Sequence, residues 1–126
     1  MKALVCEQYG SPHDLVIQER SSPAPTASEV LIEVHAAGIN FPDLLMIRGQ
    51  YQEKLPPPFV PGAEVAGIVK AVGSEVRRIR TGDRVVATPL GGAFAEECLV
   101  DEHLCMRLPE ALSFEQGAAF TITYAT

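Results

Sequence analysis

The sequence predicts a mainly β domain of the barrel or sandwich type with short helices. Three observations carry that prediction. Short stretches rich in Val and Ile recur along the chain, each fenced by Gly, Pro, Ser or Asp. The clearest of them alternates with the two-residue period of a half-buried strand. The turn signals fall too close together for repeating βα units.

In order, the expected strands are 2–8, 15–20, 29–39, 64–72, 83–88 and 93–100. In the third, Val30, Ile32, Val34 and Ala36 share one face, and Leu31, Glu33, His35 and Ala37 the other. The turns are Gly10-Ser11-Pro12, Gly73-Ser74, Thr81-Gly82-Asp83 and Gly91-Gly92. Residues 40–49 form a short helix: Asn40 is a capping type, Pro42 and Asp43 suit a first turn, and Gly49 closes it. Ser113 and Gln116 fit a capping box for a second helix over 111–119, which Thr121-Ile122-Thr123-Tyr124 should interrupt. Between helix and strand, the four prolines of 55–62 force an extended path. Their apolar flanks favour an internal connector over a polyproline ligand for a partner domain. The chain stops at Thr126 on an apolar, β-branched run without polar punctuation, which reads as a domain cut rather than finished.

Composition narrows the function classes. The 126 residues make one domain at most, and 47% hydrophobic content with a net charge of −6 is that of a packed core, not a disordered chain. Ten basic against 16 acidic side chains supply no basic stripe for nucleic acid. Arg77, Arg78 and Arg80 come close together, but in a stretch that suits a solvated loop. No apolar run reaches the ~20 residues of a membrane span. The N-terminus meets a charge too early for a signal peptide, and three scattered cysteines without a C-x-x-C do not make a secreted disulfide framework, so a cytoplasmic protein is expected. There is no internal repeat and no low-complexity tract.

The runs 36–43 (Ala-Ala-Gly-Ile-Asn-Phe-Pro-Asp), 61–67 (Pro-Gly-Ala-Glu-Val-Ala-Gly), 82–85 (Gly-Asp-Arg-Val) and 92–96 (Gly-Ala-Phe-Ala-Glu), in that order, resemble the N-terminal GroES-like domain of medium-chain dehydrogenases/reductases. The zinc-independent quinone oxidoreductase branch is the most similar. The resemblance implies a GroES-like, partly open β-barrel over 1–126, cut at the start of the interdomain segment. It also implies a Rossmann domain outside this chain and NADPH in the cleft between the two. No G-x-G-x-x-G opens a helix after a strand here, so the dinucleotide phosphates need that other domain, and the isolated chain should be inactive. The complete enzyme should be a homodimer.

Zinc-dependent relatives place a Cys and a His where this sequence has Asn40 and Ala63, neither of which is a zinc ligand. The four-cysteine lobe of those relatives is absent too, so no zinc is expected. Cys98, His103 and Cys105 are the remaining metal candidates, with a spacing unlike a zinc knuckle. Without a metal, hydride from a nicotinamide and a proton from a side chain or water suit quinones and other α,β-unsaturated carbonyls. Asn40 is the first site candidate: its carboxamide can donate to substrate or nicotinamide, or it can simply cap the helix, and both can hold. Tyr51 is the second, in a stretch similar to that carrying the catalytic tyrosine of enoyl thioester reductases. A phenol can give its proton to a nascent enolate, or the ring can only pack over Phe59. Asp43 suits the positive end of the helix, and Glu64 is expected as a hydrogen-bond or ion-pair partner. Thr126 matches the family threonine that contacts the cofactor. Two other functions stand beside the quinone reductase: an enoyl thioester reductase using Tyr51, and a non-enzymatic GroES-like assembly module.

Overall fold

The computed structural model describes the backbone of residues 1–125 and the side chains of residues 1–119. Seven strands and two helices follow one another: β1 (Lys2–Val5), β2 (Val16–Glu19), β3 (Glu29–Ala37), α1 (Phe41–Ile47), β4 (Val65–Val72), β5 (Arg84–Ala87), β6 (Glu97–Asp101), β7 (Cys105–Arg107) and α2 (Phe114–Ala125). All pairings are antiparallel. β1 and β2 make a two-stranded sheet, and the other five are ordered β6-β3-β4-β5-β7. Among the described residues β6 and β7 remain edges, so the larger sheet is not a closed barrel.

The sheet centre is β3 against β4. Val30, Ile32, Val65, Val69 and Val85 are buried together with Cys98 and Cys105. Each of these Val and Ile side chains contributes about 1.5–3 kcal/mol when removed from water. Gly67 lets the two strands close up, because a Cβ there would collide with the Glu33 carbonyl. The β3–β4 register shifts between Val34 and Ala36, and a bulge of that kind bends a strand. The irregularity lies just before β3 hands the chain to α1.

Several expected elements are shorter or longer than the sequence implied. β1 ends at Val5, because Cys6 leaves the β2 ladder to pair with Phe59, exchanging backbone bonds of 2.8 and 3.1 Å. That pairing, with Phe59 and Pro61 buried, makes the proline segment an internal connector. Residues 93–96 precede β6 instead of opening it. There, Ala93 and Phe94 donate to the carbonyls of Gly62 and Pro61. β7 escaped the sequence reading: it has three residues, of which Met106 and Arg107 are exposed, too few to show a period.

α2 runs through 121–124 to Ala125, correcting the expected interruption. Thr and Ile are only a few tenths of a kcal/mol worse than average in a helix, which a preformed first turn outweighs. That turn is the capping box: Gln116 N donates to Ser113 Oγ at 3.1 Å and Ser113 N to Gln116 Oε1 at 2.8 Å. Phe114 fixes the helix to the sheet between the His35 ring at 4.5 Å and the Arg84 guanidinium at 4.7 Å. Arg77, Arg78 and Arg80 lie exposed on the β4–β5 loop, where the first two donate backbone N–H groups to Glu102.

Candidate active site

The site is built where β3 ends and α1 begins. Asn40 is the N-cap, with extended backbone at φ −130°, and Pro42 occupies the first turn. The Asp43 carboxylate reaches back to accept the Asn40 backbone N–H at 2.8 Å, satisfying one donor that a helix start leaves over. Asn40 and Asp43 thus form a capping box at the start of α1, and Asn40 Nδ2 donates to Glu64 Oε1 at 3.2 Å. Glu64 is the residue before β4 and is only 1% exposed. Its carboxylate fits because residue 38 is glycine, where a Cβ would collide with Oε1.

Asp43 is 4% exposed. Burial pushes its carboxyl up from the ordinary carboxylate range, the nearby Glu64 charge adds to the rise, and the Asn40 N–H opposes it. The end of α1 is set by Gly49, at φ +71° with the Tyr9 ring against its Cα. Met46 and Ile47 are buried against Cys6 and Phe59, and Tyr51 and Leu55 pack on that cluster.

A cleft of about 340 Å³ opens beside α1. Pro42, Asp43 and Met46 of α1 line it together with Tyr51, Glu53, Ala63, Thr88, Pro89, Leu90 and Leu104. Of the sequence candidates, Tyr51 thus stands on the cleft and also packs near Phe59, so both of its expected roles are compatible with its position. Asn40 is joined to the cleft through its bond with Asp43. Thr126 lies outside the described residues. Thr88, the one hydroxyl on the lining besides Tyr51, was not anticipated. It follows β5 and is brought round by a bond from its N–H to the Leu104 carbonyl at 3.1 Å, which no local pattern reveals.

The metal candidates do not assemble. Cys98 and Cys105 lie on β6 and β7, the two outermost strands of the large sheet. Burial pushes both thiols up to about 12, the reverse of what a thiolate ligand needs. His103 is exposed between them in sequence. Among the described residues no three His, Cys, Asp or Glu side chains converge, and the cleft lining carries neither imidazole nor thiol. That donor set does not suit zinc.

Residues 26–110 match the model of the alcohol dehydrogenase GroES-like domain. The chain belongs to that family. It is 42% identical over 127 residues to the quinone oxidoreductase-like protein 2 homolog of Nematostella vectensis, covering 99% of this chain and 34% of that protein. It is 38% identical over 128 residues to human quinone oxidoreductase, covering 100% of this chain and 39% of the relative. The crystal structure of Escherichia coli quinone oxidoreductase complexed with NADPH superposes with a TM-score of 0.89 at 35% identity, over 94% of this chain and 36% of that one. This GroES-like domain therefore spans little more than a third of the length of the relatives it matches. These likenesses place it among the GroES-like domains of the medium-chain dehydrogenase/reductase family.

The surface beside α1 suits part of a nicotinamide dinucleotide. Ile39 and Phe41, the sequence neighbours of Asn40, are 81% and 67% exposed, so apolar surface is available next to an amide-bearing residue, and an amide-bearing aromatic ring can use both. The phosphates find no such match here, since the charged residues of the cleft, Asp43 and Glu53, are both acidic.

Proposed function

We propose that this chain is the substrate-side domain of an NADPH-dependent, zinc-independent reductase of quinones or other α,β-unsaturated carbonyls, acting with a Rossmann domain that carries the dinucleotide phosphates. The single observation behind the reading is the cleft itself: apolar walls, one phenol, and no metal-ligating set. NADPH, when bound, supplies the hydride. Asn40, with Thr126, would hold the nicotinamide end.

The chain's own residues do the rest. Met46, Leu90 and Leu104 offer an apolar slot in which a flat conjugated ring displaces water. Tyr51 gives its phenolic proton to the substrate oxygen as negative charge develops there, and recovers a proton from solvent. Asp43 and Glu53 make the cleft acidic, which favours uncharged carbonyls over substrates that bring phosphates, and so weighs against the thioesters of a phosphorylated carrier. The working protein is assigned to the cytoplasm as a homodimer, with no nucleic-acid or membrane partner. No helix among the described residues is long and apolar enough to cross a membrane.

The test compares the 126-residue chain with a longer polypeptide that continues into the proposed nucleotide-binding domain. The longer protein should oxidise NADPH with a quinone, and the chain alone should neither do so nor quench NADPH fluorescence at micromolar concentration. Micromolar binding to the chain alone, or a longer protein inert toward quinones, would overturn the reading.

A further inference from the structure

The segment between the end of α1 and the Phe59 bridge brings Tyr51 and Glu53 to the cleft, yet little holds it in place. Three consecutive prolines, 56–58, supply no N–H, and among the described residues no backbone–backbone hydrogen bond involves residues 51–58. Tyr51 and Leu55 pack on the cluster of Cys6, Met46, Ile47 and Phe59, but apolar contact is non-directional and does not fix where a side chain points. Among the described residues one hydrogen bond reaches this segment: the Tyr9 hydroxyl donates to the Leu55 carbonyl at 2.6 Å. The same ring lies against Gly49, where a Cβ would come within 2.8 Å of it, and its centroid is 6.3 Å from that of Phe59. The turn that carries Tyr9 is itself fixed. Gly10 N–H donates to the Ile47 carbonyl at 2.9 Å, and Ser11 caps the single helical turn over Pro12–Asp14.

We infer that Tyr9 is a positioning residue for the cleft: its ring at Gly49 and its hydroxyl at Leu55 clamp both ends of the segment that presents Tyr51 and Glu53. Tyr51 follows the first contact closely and Glu53 closely precedes the second, so neither moves far without breaking one of them. The two contacts act differently. The ring, packed on a glycine with positive φ, sets the direction in which the chain leaves α1. The hydroxyl fixes the Leu55 peptide, at the far end. Without that hydroxyl the Leu55 carbonyl can turn to water, because its surroundings are partly exposed, so the bond contributes order to the segment more than stability to the fold. Proton delivery requires the donor within hydrogen-bond reach of the reacting oxygen, and turnover therefore follows the fraction of time the segment is clamped. This consequence for turnover rests on the functional reading above; the clamp itself does not.

Tyr9→Phe tests the clamp, since it removes the hydroxyl and keeps the ring. In the 126-residue chain trypsin reads it directly: Lys54 is exposed, and the bond after it leads into Leu55, which must open locally to be cut. Relative to cleavage after the exposed Arg80 of the β4–β5 loop, cleavage after Lys54 should rise about fivefold in the variant, as expected for one lost hydrogen bond. A general loss of stability would speed both cuts alike. In the longer polypeptide, Tyr9→Phe should lower kcat for p-benzoquinone about fivefold with KM for NADPH unchanged, and in a Tyr51→Phe background it should cost nothing more. A cleavage ratio equal to that of the wild type overturns the inference, and so does a kcat loss that persists undiminished in the Tyr51→Phe background. Faster cleavage after Lys54 combined with a longer polypeptide inert toward quinones would instead sink the functional reading and leave the clamp standing.

Discussion

Glu97 and Asp43 are both carboxylates less than a tenth exposed, yet their surroundings on β6 and on α1 treat them in opposite ways. Glu97, on β6, receives the Lys70 ammonium at 2.5 Å and the Ser22 hydroxyl, and the Lys70 bond foremost holds its carboxyl below the usual range. Asp43, on α1, accepts one backbone N–H, has another acid nearby, and is pushed up by burial. The framework acid is held by a cation and so favours the fold at neutral pH. The site acid has no such partner and opposes it. A carboxylate without a cationic partner on a cleft is what a reactive site tends to show, and an ion-paired one is what a scaffold tends to show.

The largest effect belongs to the scaffold. Ile32, fully buried at the centre of the large sheet, should lose about 2–5 kcal/mol of stability as Ile32→Ala in urea denaturation. A loss below about 1 kcal/mol would mean that the sheet does not close over it. Next comes Lys70→Met, which leaves Glu97 with Ser22 alone. Because the folded pKa of Glu97 is depressed, its contribution is present above the unfolded value and disappears as pH falls through the folded one. The variant should be less stable at pH 7, and its deficit should shrink as the solution is acidified below pH 4.5, the ordinary value for this group.

Asp43→Asn should do the reverse, more weakly. With the folded pKa of Asp43 raised, the native state holds that proton more tightly than the unfolded chain. Stability therefore declines as pH rises from 3.8, the ordinary value, through the folded pKa. An asparagine still accepts the Asn40 N–H, so the variant should be more stable than wild type at pH 7, with the gain vanishing in acid. A loss of stability at pH 7 would erase the contrast with Glu97.

What the sequence disclosed follows the range of the interactions involved. The caps at Asn40 and Ser113, the Gly49 helix end and the alternation in 29–39 are set by neighbours a few residues apart, and each appears in the fold. The Asn40–Glu64 bond spans 24 residues and depends on Gly38 at the end of another strand, so spacing alone hides it. Thr88 and Leu104 reach the cleft only because β5 pairs with the three-residue β7. In 121–124 local propensity pointed the wrong way, since the helix begun at Ser113 continues across it.

In the proposed reaction Tyr51 delivers a proton to a substrate reduced by hydride. Quinone turnover by the longer polypeptide with Tyr51→Phe tests it most directly, because the variant removes one oxygen and leaves the ring packed near Phe59. The expected outcome is a fall in kcat of about a hundredfold with unchanged thermal stability. Full activity on both quinones and enoyl thioesters would contradict it.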